Sequence, residues 1–148
     1  MKKLIKKILK EDQMEMYLNK IGDIMKNDYP LIKNMKLYGF WDQLSDEEKK
    51  YIFTIILNKN NDLKVDKIYE SYYKIEIFVK FRDDTFNRLV YSENRDGHWE
   101  KFEHNDNGNT TYYENSDGFW WKREYRYKTN LVSYYEDSNG VIKGKRNI

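Results

Sequence analysis

The sequence predicts an α+β protein in which N-terminal helices pack on an antiparallel β-meander of tandem hairpin repeats. Three observations carry that reading. Apolar residues recur at helical spacing in the N-terminal part, strict alternation replaces that spacing in the C-terminal part, and the pairs Asp96-Gly97, Asn107-Gly108, Asp117-Gly118 and Asn139-Gly140 punctuate the alternating region. Asx-Gly between aromatic and β-branched residues is the strongest short-range hairpin signal, because these residues tolerate the positive φ that a tight turn demands. The expected division is a helical region over 1–70 and a meander over 71–148.

Leu4, Ile5, Ile8, Leu9, Met14, Tyr17, Leu18, Ile21, Ile24 and Met25 follow a helical period, with a break or bend expected around Glu11 to Gln13. Lys2, Lys3, Lys6, Lys7 and Lys10 form its other face, read as solvated because lysine suits an exposed helix. Pro30 ends this segment, since a proline disfavours helical geometry in the residue before it. Leu31 to Leu44 has no clear period. Ser45-Asp46-Glu47-Glu48 is a capping box, which opens a helix from about Asp46 to Leu57. Its stripe of Tyr51, Ile52, Phe53, Ile55 and Ile56 needs burial, and Asn58 to Asp62 is a polar stop. Lys74 to Phe81 then alternates, placing Ile75, Ile77, Val79 and Phe81 on one side of a half-buried strand, and Arg82 to Asn87 turns the chain.

Beyond this point the chain repeats itself. Tyr91 to Trp99 aligns with Tyr112 to Trp120, and Tyr134 to Gly140 returns after one extra residue, a period of about 21 residues that points to stacked supersecondary units. About seven strands in up-and-down order are expected. The units Tyr112 to Gly118 and Tyr134 to Gly140 resemble the aromatic Asx-Gly hairpins of YD-type and MORN-like repeats of phage and bacterial proteins. They are also similar to choline-binding cell-wall repeats, although the Gly-Trp pair at the strand start is lacking. The likeness spans roughly residues 88 to 145.

Composition narrows the function classes. The 148 residues carry 35% charged groups but a net charge of only +2, so the large positive excess of a generic nucleic-acid binder is missing. Mean hydropathy is low at -1.01, yet 17% aromatic residues argues for a folded chain. Without cysteine there is no disulfide and no thiolate metal site. No segment has the roughly 20 apolar residues of a membrane span. Charges interrupt the apolar N-terminus, so no export signal is expected and a cytoplasmic location is. Abundant Lys, Asn, Ile and Tyr with a single proline suggest an AT-rich bacterial or phage genome.

No motif with catalytic spacing stands out, and the reading is of a non-enzyme without cofactor or metal. His98 and His104 fall on one side of a strand, and Glu93 is expected opposite Glu100, a cluster that could hold a metal; its absence from the next unit, where Phe119, Tyr125, Glu114 and Trp121 take those places, argues against this. Glu93, Glu114 and Glu136 are expected to meet basic groups, such as Lys143 opposite Glu136. If Asp117-Gly118 is a two-residue turn, Tyr112, Phe119, Trp121, Arg123 and Tyr125 share one face, and Tyr113, Trp120, Lys122 and Glu124 the other. Two aromatic faces suggest an interface, because Trp, Tyr and Arg dominate binding energy at such surfaces. The candidate partner-binding residues are Trp99, Tyr113, Trp120, Trp121, Lys122, Arg123 and Arg126. The expected function is protein–protein interaction, as an anti-CRISPR-like phage-type inhibitor occluding a host or defence enzyme. That partner is a protein or nucleoprotein, with nucleic acid involved only indirectly. The alternative is a carbohydrate or cell-envelope binding module.

Overall fold

The computed structural model describes residues 29–39, 41–57, 64–80 and 87–146. The helix expected over Leu4 to Met25 with its lysine face, the stop at Asn58 to Asp62 and the turn over 82–86 lie outside these residues.

Among the described residues two α-helices precede the sheet. The helix α1 (Leu31–Leu37) starts after Pro30, whose carbonyl accepts from Asn34 N–H at 3.2 Å. A single 3₁₀ turn (Trp41–Gln43) follows, and then α2 (Asp46–Leu57). The box at its start forms as expected: Glu48 N–H donates to Ser45 Oγ at 3.2 Å, and Ser45 N–H donates to Glu48 Oε1 at 3.0 Å. Midway along α2, Thr54 Oγ1 donates to Lys50 O and accepts from Val65 N–H at 3.0 Å, which ties the helix to the sheet edge.

Eight antiparallel strands then run in sequence order: β1 (Lys64–Glu70), β2 (Lys74–Lys80), β3 (Asn87–Asn94), β4 (Trp99–His104), β5 (Thr110–Asn115), β6 (Trp120–Tyr125), β7 (Val132–Asp137) and β8 (Ile142–Gly144). The sheet is an open meander. It begins at Lys64, inside the stretch expected to be helical, so the described residues hold one strand more than about seven. The reason is a β-bulge at Asp66. Val65 pairs with Val79 but Lys67 pairs with Phe78, so the inward residues Val65 and Ile68 stand three apart and mimic a helical period.

The hydrophobic core lies at one end, between the helices and β1 to β3. Leu31, Ile32 and Met35 of α1, Trp41, and Ile52 and Phe53 of α2 meet Val65, Ile75, Ile77, Val79, Val90 and Tyr91. The Trp41 and Phe53 rings cross edge to face at 5.9 Å. Each fully buried aliphatic side chain here stabilises the fold by about 1.5–3 kcal/mol.

Four hairpin loops differ from the two-residue expectation. In each, the residue three before the glycine opens a three-residue loop: Asn94, Asn105, Asn115 and Asp137. Around Asn115, its N–H reaches Phe119 O at 3.0 Å, Gly118 N–H reaches Asn115 O at 3.1 Å, and its side-chain Oδ1 accepts from Asp117 and Phe119 N–H. Gly118 takes φ +84°, as a type I turn closed by a glycine bulge requires. One extra loop residue slips the register by one and exchanges the faces of Tyr112 and Tyr113.

Candidate interaction surface

The pairing fixes which side chains share a face. On the helix side of β4 to β7 stand Trp99, Lys101, Tyr112, Glu114, Trp120, Lys122, Tyr134 and Glu136. On the far face, which no described helix covers, stand Phe102, Tyr113, Trp121, Arg123 and Tyr135. The seven candidate residues therefore divide. Trp99, Trp120 and Lys122 belong to the helix side, Tyr113, Trp121 and Arg123 to the far face, and Arg126 opens the exposed loop between β6 and β7.

The far face is a continuous aromatic ladder. Phe102 lies 5.2 Å from Tyr113, and Tyr113 stacks on Trp121 at 5.9 Å with an interplanar angle of 17°. The Arg123 guanidinium sits 4.1 Å above the Trp121 ring and 5.7 Å from that of Tyr135. All five are half-buried, each presenting ring or guanidinium surface outward. Polar tips are anchored: Tyr113 OH donates to Glu100 Oε2 at 2.7 Å, and Tyr135 OH to Asp137 Oδ2 at 2.9 Å. Burial and the carboxylate partner push both phenols upward. At Asp137 burial opposes ionisation, but bonds from Tyr135 OH and from Val141 and Asn139 N–H outweigh it and hold the carboxyl below its ordinary range.

The helix-side residues have other employment. Trp99 stacks on Tyr29 at 4.4 Å and packs against the core. Lys122 Nζ lies 5.2 Å from the Trp120 ring, an exposed cation–π pair.

The expected His/Glu cluster is not assembled. Glu93 pairs with Trp99, and Ser92, not Glu93, stands opposite Glu100. His98 Nδ1 contacts Ser116 Oγ at 3.1 Å, whereas His104 bridges Leu89 O at 2.7 Å and Thr110 Oγ1 at 3.1 Å. Burial lowers the His104 pKa and favours its neutral ring. Among the described residues no group of three or more His, Asp or Glu is placed to hold a metal ion.

Glu93 is expected to meet a basic group, but among the described residues its carboxylate binds backbone amides and a phenol instead. Its carboxylate is only 5% exposed and receives Ile32 N–H and Lys33 N–H, both at 2.9 Å, and Tyr91 OH at 2.7 Å. Tyr91 OH accepts in turn from Leu31 N–H at 3.0 Å. One strand thus clamps the start of α1. Burial first, and then the neighbouring Glu93 charge, raise the Tyr91 phenol far above its usual range. The Tyr-to-Glu bond two residues along recurs as Tyr112 to Glu114 and Tyr134 to Glu136, both at 3.1 Å. Lys143 does not oppose Glu136, as expected, but Tyr135; Glu136 faces Ile142 and pairs with Arg146 at 3.5 Å.

These features define a class: an open antiparallel meander with helices over β1 to β3 and, over β4 to β7, an aromatic-cation face that no described helix covers. No protein-family model, curated protein or solved structure matches the chain. Among the described residues no helix is long and apolar enough to cross a membrane.

Proposed function

We propose that this chain is a non-enzymatic interaction protein that captures a protein partner on the far face of β4 to β7. The observation that carries the reading is the ladder Phe102, Tyr113, Trp121, Arg123 and Tyr135. Rings pre-stacked in one orientation lose little side-chain freedom on binding, and Trp, Tyr and Arg are the residues that dominate interface energetics. Tyr113, Trp121 and Arg123 are the anchors; the helix-side Trp120 and Lys122 are secondary. The tandem hairpins, read as repeats from the sequence, extend this surface strand by strand. The partner is a host or defence enzyme in the cytoplasm, inhibited by occlusion in the manner of a phage-type, anti-CRISPR-like factor; this part rests on the repeat resemblance and the AT-rich composition.

The test is affinity capture by the tagged chain from host lysate, with and without nuclease, beside a Trp121→Ala/Arg123→Ala variant. One enzyme retained near stoichiometry and inhibited by the wild-type chain, but lost with the variant at unchanged circular dichroism, is the expected result. Capture unaffected by the variant overturns the assignment. Binding to cell-wall glycans in place of a protein would install the carbohydrate module instead.

A further inference from the structure

We infer that a second site, separate from the aromatic ladder, binds single-stranded nucleic acid at the opposite end of the sheet, where α1 meets the loops β1–β2 and β3–β4. A cleft of about 210 Å³ opens there, lined among others by Lys33, Lys36, Lys74, Arg95, Tyr72 and Tyr73. Four cations and two tyrosines converge from three separate stretches of chain. The one carboxylate in the lining, Glu93, has both oxygens committed to α1 amides and Tyr91, and among the described residues Lys74 is the one lining cation in an ion pair, with Glu76 at 3.5 Å. Thus a net charge of +2 for the chain conceals a local cationic concentration.

The tyrosines decide the ligand class. Tyr72 and Tyr73 are 70% and 75% exposed, far more than the ladder rings, and cross edge to face at 5.2 Å. The Arg95 guanidinium lies 4.3 Å from the Tyr72 ring, making a flat cationic platform. An acidic peptide would use the cations and leave both rings idle, whereas a nucleotide chain offers phosphates to the cations and base faces to the rings. The site is also held in shape. Arg95 N–H donates to Tyr73 O at 2.9 Å, joining the two loops, and Ser71 Oγ accepts from Tyr73 and Lys74 N–H. Lys33 projects from α1 against the β3–β4 loop, where its Nζ lies 3.5 Å from a Cβ built on Gly97.

Fluorescence anisotropy with fluorescein-labelled (dT)₁₂ and the full chain tests this. Binding should weaken with salt at a slope of about −0.7 per phosphate contacted, so about −2 for three contacts. Lys33→Ala/Arg95→Ala should weaken binding at least about tenfold and flatten that slope. Tyr72→Ala/Tyr73→Ala should weaken it by about tenfold or more with the slope kept. The far-face variant Trp121→Ala/Arg123→Ala should bind (dT)₁₂ as the wild type does, and the cleft variants should still capture the protein partner, so either reading can fail alone. Circular dichroism of each variant must match the wild type. Absence of binding, equal binding by all cleft variants, or a poly-glutamate peptide bound as tightly and insensitive to the tyrosine changes overturns the inference, the last in favour of an acidic peptide.

Discussion

Replacing Glu93 by alanine removes a single side chain that satisfies three donors. Ile32 N–H and Tyr91 OH are on residues only 1% and 0% exposed, so water replaces the lost acceptor poorly there, while the part-buried Lys33 N–H can turn to solvent. A hydrogen bond to a charged group contributes about 1.5–3 kcal/mol, and each buried donor left unpaired costs about 1–3 kcal/mol. Because the three bonds share one carboxylate they do not add, and about 3–5 kcal/mol is the expected loss, a large share of the roughly 5–15 kcal/mol that holds a domain together. Urea unfolding followed by tryptophan fluorescence reads this directly. With a slope of about 2 kcal/mol per molar, the midpoint should fall by about 2 M. Tyr91→Phe, which removes the phenol that bridges Leu31 to Glu93, should cost about 1–2 kcal/mol, and the double variant should cost clearly less than the sum. A midpoint shift below about 0.3 M for Glu93→Ala would refute the clamp.

The phenols of Tyr91, Tyr112, Tyr113 and Tyr135 are all raised above 10.0, Tyr112 to about 12. The folded state therefore holds protons that the unfolded state releases, so this contribution is complete below pH 10 and is lost as pH climbs toward 12 and beyond. Melting temperature measured across that range should fall, and Tyr112→Phe should soften the fall. His104 behaves oppositely: its folded pKa lies below 6.5, so its contribution is present above that pH and lost as pH falls further, and an NMR titration of its ring should give a midpoint under 6.5. Gly144 and Gly118 both adopt positive φ, but a Cβ on Gly144 would collide with Ser133 O whereas one on Gly118 meets nothing within 4 Å. Gly118→Ala should cost about 1–2 kcal/mol from backbone strain alone, and Gly144→Ala should cost more and release β8, seen as faster amide exchange of Ile142 to Gly144. Asn115→Ala loses the acceptor for Asp117 and Phe119 N–H and should lower stability by about 1 kcal/mol in the same urea assay.

Local signals were legible because their physics is local. The Ser45 to Glu48 box needs only its own turn to form, and α2 spans Asp46–Leu57 as expected. The alternation of Ile75, Ile77 and Val79 needs only the pleat. The Asx-Gly corners are at loops, but a dipeptide does not carry the loop length, since the opening Asn or Asp stands three residues before the glycine and bonds through its side chain. That single residue moved Tyr113 onto the face of Trp121 and Arg123 and left Trp120 and Lys122 behind.

By itself, then, the sequence determined the type of α2 and of the strands from β2 onward, the hairpin order and the aromatic wealth of the sheet, because periodicity, capping and turn chemistry act over a few neighbouring residues. Tertiary structure alone decided that β1 exists, since a bulge at Asp66 hides it and pairing with β2 reveals it. It decided that Glu93 holds α1, and that Tyr72, Tyr73, Lys33 and Arg95 meet in one cleft. The Ile32–Glu93 bond joins residues 61 positions apart, and only the sheet register and the docking of α1 bring them within bonding distance.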